Sequence, residues 1–62
     1  MHMDSRQAIK MIREDGWFEV RIRGDHHQFK HPMKKGLVTL QHPMKDLRKD
    51  VVNSILKQAG LK

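Results

Sequence analysis

The sequence predicts an α+β domain in which a helix, three antiparallel strands and a second helix follow one another. Both helices are expected on one face of the sheet. Three observations carry this. Apolar residues recur at helical spacing near both ends of the chain, the stretch after Gly16 alternates with period two into a Gly-Asp turn, and 62 residues leave room for one small domain.

Asp4 stands where a helix N-cap belongs, and Gln7 falls three positions later, as a capping box requires. Ala8, Ile9, Met11 and Ile12 follow at helical spacing until Gly16 stops the run, which predicts a helix over 5–15. Its outer side carries Arg6, Lys10, Arg13 and Glu14. Met1-His2-Met3 ahead of it reads as a cloning remnant before a start at Met3, leaving 4–62 as a single domain.

Residues 17–23, Trp-Phe-Glu-Val-Arg-Ile-Arg, alternate cleanly. Phe18, Val20 and Ile22 are expected on the buried face, with Glu19, Arg21 and Arg23 on the open one. Gly24-Asp25 makes a two-residue turn. A hairpin that tight pairs Ile22 with His27 and Val20 with Phe29, and sets Glu19 opposite Lys30. The second strand runs from His26 to about His31 and ends at Pro32. A third, Leu37 to Gln41, is closed by Pro43. Phe29, Val38 and Leu40 belong to the buried face, and His26, Gln28, Lys30, Thr39 and Gln41 to the open one. From Asp46 onward helical spacing returns through Val52, Ile55, Leu56 and Ala59, with Leu47 leading in. Gly60-Leu61 has the form of a Schellman end.

Composition narrows the partners. Thirteen Lys plus Arg against seven Asp plus Glu give a formal charge of +6, with five His besides. That balance points to a polyanion, nucleic acid first. A domain of this size buries only about 60% of the surface its unfolded chain exposes, so modest stability is expected. The absence of Cys excludes a disulfide scaffold, a thiol nucleophile and a Cys-based zinc site. Apolar runs are too short for a membrane span or signal peptide, so a cytoplasmic location is expected.

The element order and several words of the sequence resemble the HicA family of toxin ribonucleases from type II toxin–antitoxin modules. The words are Asp15-Gly16-Trp17, the stretch from Arg23 to Pro32, Val38-Thr39-Leu40-Gln41-His42-Pro43, and Ile55-Leu56-Lys57-Gln58-Ala59-Gly60-Leu61. They reach from about Ser5 to Leu61, and their order and spacing are specific together rather than singly. The resemblance implies a fold like that of a double-stranded-RNA-binding domain. It also implies metal-independent cleavage of mRNA by a single histidine, no cofactor, and inhibition by a HicB-type antitoxin. Carried over, the catalytic histidine falls on His26. The family's usual Ser before it is Asp25 here.

His26 suits that role chemically, since cleavage by an internal 2′-hydroxyl needs a base near neutral pH. The plain alternative is a solvated turn histidine. Arg21, Arg23, Gln28, Lys30 and Gln41, with Lys34 and Lys35 in the adjoining loop, are expected to hold RNA phosphates around it. Ordinary solvated charges are the competing explanation. His27 is expected to pack beside Phe29, His31 and His42 to mark strand ends before Pro, and Trp17 to pack against a helix end. The histidines lack metal-site spacing, and a metal is not expected. Ser5 and Ser54 have no base placed by spacing, and the Gly residues form no phosphate loop. A non-catalytic RNA-binding module would use the same face. A DNA-binding helical module is disfavoured, because no helix-turn-helix spacing occurs and direct DNA binding is not expected.

Overall fold

The computed structural model describes residues 3–62, so the reading of Met1 and His2 as a cloning remnant lies outside the described residues. The chain forms α1 (Ser5–Glu14), β1 (Phe18–Arg23), β2 (His26–Lys30), β3 (Val38–Gln41) and α2 (Lys49–Gln58). The strands form one antiparallel sheet in the order β1-β2-β3. This is the expected α+β architecture. Met3 adds a short antiparallel bridge to Leu47.

Local chemistry sets the helix ends. Asp4 accepts a hydrogen bond from the Gln7 backbone amide while the Gln7 side chain accepts from the Asp4 amide, completing the capping box. Both helices end in Schellman motifs. Trp17 N–H reaches the Ile12 carbonyl and Gly16 N–H that of Arg13; at α2, Leu61 N–H reaches Leu56 and Gly60 N–H reaches Lys57. Gly16 is needed twice over. Its φ is +112°, and a Cβ there would lie 2.7 Å from His31 Nε2.

The core joins Ala8 and Ile12 of α1, Ile55 and Ala59 at α2, and Phe29, Val38 and Leu40 of the sheet, with Trp17 and Leu47 sealing its ends. Both helices therefore cover one face, and the other is left to solvent.

The first strand departs from its expected pairing. Ile22 does pair with His27 and Arg23 with His26, but Glu19 pairs with Phe29 and Phe18 with Lys30, so Val20 is an extra residue in a β-bulge. The expected pairs Val20–Phe29 and Glu19–Lys30 do not form. The faces of the strand's first half are swapped as a result. Glu19 turns to the helix side and Phe18 to the open side, where it is 49% exposed. Val20 and Ile22, expected in the core, are also exposed. The reason is Trp17. A strand of unbroken period two cannot turn both Trp17 and Ile22 toward the helices, and the extra residue lets it do so. Trp17, the largest side chain available, is then buried.

Candidate functional site

The tight hairpin fixes the site. Arg23 and His26 close a two-residue loop in which Gly24 takes a φ of +62°, as the first position of a type II′ turn demands. His26 thus begins β2 at the open face, its side chain 62% exposed. Its Cα partners are Arg23 on one side and Gln41 on the other. Next along the face come Arg21, Gln28 and Thr39 in one rung, then Phe18 and Lys30.

Asp25 lies against this histidine, with its Oδ1 3.7 Å from His26 Nδ1. The Gln41 amide donates to Asp25 Oδ2 at 2.6 Å. That hydrogen bond is the main cause holding the Asp25 carboxyl below its usual range; desolvation opposes it, while its own backbone amide and the His26 and His27 imidazoles add to it. The His42 amide also donates to the Asp25 carbonyl at 2.8 Å, pinning the turn to the end of β3. The carboxylate is thereby held beside the His26 ring.

Of the other residues expected in an RNA-binding face, Arg21, Arg23, Gln28, Lys30 and Gln41 fall on the same sheet face as His26, with Lys30 two rungs away. Lys35 is exposed in the following loop. Lys34 lies elsewhere. Its ammonium donates to Asp15 Oδ2 at 2.5 Å and to the Ala59 carbonyl at 3.0 Å, so it ties together the C-terminal ends of both helices. The Lys34 hydrogen bond is the main cause depressing the Asp15 carboxyl, with desolvation opposing and the Lys34 charge, the Trp17 indole and His31 adding. Trp17 Nε1 donates into the same knot, to Asp15 and Ala59.

The remaining histidines sit on the covered side. His31 Nε2 bonds the Asp15 carbonyl at 2.7 Å, and its Nδ1 accepts from the Met33 and Lys34 amides. It braces the 31–36 loop and packs edge-on against Trp17. His27 bonds Glu19 at 2.5 Å and meets His42 edge to face, centroids 5.0 Å apart. The buried Ser5 hydroxyl accepts from the Met44 amide and shares a hydrogen bond with His42 Nδ1 at 2.5 Å. Spacing alone missed this Ser5–His42 pair, because the two residues lie 37 positions apart. The hydroxyl is sealed from solvent, and the pair joins the start of α1 to the end of β3. Among the described residues, no three His, Cys, Asp or Glu side chains are arranged to hold a metal ion. No helix among them is long and apolar enough to cross a membrane.

Fold and site together define a small α+β domain with one covered sheet face and one cationic face around a single histidine. The chain belongs to the HicA toxin family: the family model described as HicA toxin of bacterial toxin-antitoxin matches residues 5–61. Among solved structures it is similar to a chain of a HicA3 and HicB3 toxin-antitoxin complex, with 30% sequence identity, 97% of each chain covered and a TM-score of 0.82. No curated protein matches it.

Proposed function

We propose that this HicA-family domain is a metal-independent endoribonuclease that cleaves mRNA and so inhibits translation and growth. The observation that carries the reading is His26, exposed at the edge of a face lined by Arg21, Arg23 and Lys30. In the reaction His26 takes the proton from a ribose 2′-hydroxyl, and the 2′-oxygen attacks the adjacent phosphorus. The 5′-oxygen of the next nucleotide leaves, protonated by the imidazolium or by water. The products are a 2′,3′-cyclic phosphate and a 5′-hydroxyl. Arg23, beside His26, balances charge on the phosphorane, and Arg21, Gln28, Lys30, Lys35 and Gln41 hold the strand. Asp25, the carboxyl beside His26, is ionised and has no proton to give the leaving group, so turnover is expected to be slow, which suffices for a toxin.

Replacement of His26 by Ala is expected to abolish cleavage of a labelled RNA while its binding falls less than threefold. Parallel loss of binding and cleavage would make His26 a binding residue. Binding without cleavage by the unaltered protein would favour the non-catalytic RNA-binding module and make Asp25 the first suspect.

A HicB-type antitoxin is the proposed partner, as in the similar solved complex. Covering the His26 face with acidic residues opposite Arg21, Arg23 and Lys30 is the simplest means of inhibition. Hydrogen exchange of the 21–30 backbone should slow in the complex; an unchanged rate there, with inhibition intact, would place the inhibitor elsewhere.

A further inference from the structure

The bulge at Val20 turns Phe18 onto the face that carries His26, and we propose that Phe18 is a base-stacking platform for single-stranded RNA. The proposal rests on the nuclease reading above and assigns Phe18 as a positioning residue for that reaction.

Phe18 is 49% exposed, while its neighbour Trp17 is buried. It is the Cα partner of Lys30, whose own side chain is exposed. Leu37, which precedes the buried Val38, is 43% exposed. The exposed ring of Phe18 therefore stands across from a cation. Arg21 and Gln28 occupy the next rung, and Arg23 and His26 the one after. The one acidic residue of β1, Glu19, has been turned away by the same bulge and is bonded to His27 on the covered side.

That combination selects the partner. An aromatic ring beside ammonium and guanidinium groups matches a nucleotide, whose base offers a π face and whose phosphate offers negative charge. Lys30 lies four residues from His26 along β2, ~13 Å at ~3.3 Å per residue. A base held on Phe18 is then a few nucleotides from the phosphate at His26, and the stack sets where along the strand the cut falls. Stacking on a side chain needs a base that is free of its pair, so unpaired RNA is the substrate class. Every base has such a face, so sequence preference from this contact is weak.

The test uses fluorescence anisotropy with a fluorescein-labelled eight-nucleotide RNA of mixed sequence, in EDTA and low salt. All proteins carry His26→Ala so that the probe stays intact. Phe18→Ala and Phe18→Leu are expected to weaken binding about fivefold or more, and Phe18→Tyr to restore it. One abasic nucleotide, placed in turn along the probe, should weaken binding at one position for the Phe18 protein and at none for the Ala variant. Equal affinity of the Phe18 and Ala proteins would overturn the platform and assign the patch to a protein contact, with the nuclease reading untouched. Leu binding as well as Phe would likewise overturn stacking. Failure of the Phe18 protein to bind RNA at all would overturn both readings.

Discussion

Asp25 does two opposing things at the candidate site. Its carboxylate sits 3.7 Å from His26 Nδ1, where it can orient the ring, and repels any phosphate that approaches the same ring. Because Gln41 keeps this carboxyl below its usual range, Asp25 is ionised throughout the neutral range and its effect does not switch there. Restoring the family's usual residue with Asp25→Ser is expected to tighten RNA binding severalfold, because it removes a like charge from beside the phosphate. Weaker binding in an anisotropy titration would show instead that Asp25 chiefly holds the turn in place. Asp15 illustrates the same chemistry in a structural role. Its pKa is depressed in the folded chain, so its contribution is present above the unfolded value near 3.8 and is lost as pH falls through the folded one. Urea unfolding of Asp15→Asn should therefore show lower stability than the parent at pH 7 and a smaller difference at pH 3. A difference that grows on acidification would contradict the assignment.

At the scale of elements, the α1–β1 junction is the most tightly specified. Gly16 combines a positive φ with a near approach to His31, so Gly16→Ala is expected to cost about 2–4 kcal/mol in urea unfolding. A loss under 1 kcal/mol would mean that His31 moves aside freely. A domain of this length has a total stability of only about 3–9 kcal/mol, so the variant should be partly unfolded at 37 °C. Helix ends and the hairpin were legible in the sequence because each is coded within a few residues: Asp4 with Gln7, Gly60 with Leu61, Gly24 with Asp25. The faces of β2 and β3 were legible because Phe29, Val38 and Leu40 alternate without competition. At the start of β1, Trp17 and Phe18 compete for the covered side, and only the assembled core decides between them. The bulge that results moved Phe18 and Glu19 to opposite faces from those expected. Lys34 and the Ser5–His42 pair were illegible for a related reason, since their partners lie many residues away and no local pattern announces them.

For the whole molecule, the division of labour between the two sheet faces is the organising fact. One face packs against a core that holds nine buried apolar residues among the described ones, and the other carries His26 with Arg21, Arg23 and Lys30. The formal charge of +6 is not evenly used, because Lys34 is consumed in holding the helix ends together. Arg21, Arg23 and Lys30 remain to meet phosphates, with Lys35 nearby. RNA affinity should accordingly fall with salt at a slope of about 2–3 in log–log form, at ~0.7 per phosphate neutralised on a single strand. A slope near zero would remove the cationic face from RNA binding. The nuclease reading itself is tested most directly with a DNA oligomer that carries one ribonucleotide, incubated with the protein in EDTA. Cleavage 3′ to that single ribose, leaving a 2′,3′-cyclic phosphate and a 5′-hydroxyl, is the expected result, and His26→Ala should give none. Cleavage of the all-deoxy oligomer, or cleavage of the ribose-containing one that survives His26→Ala, would contradict it.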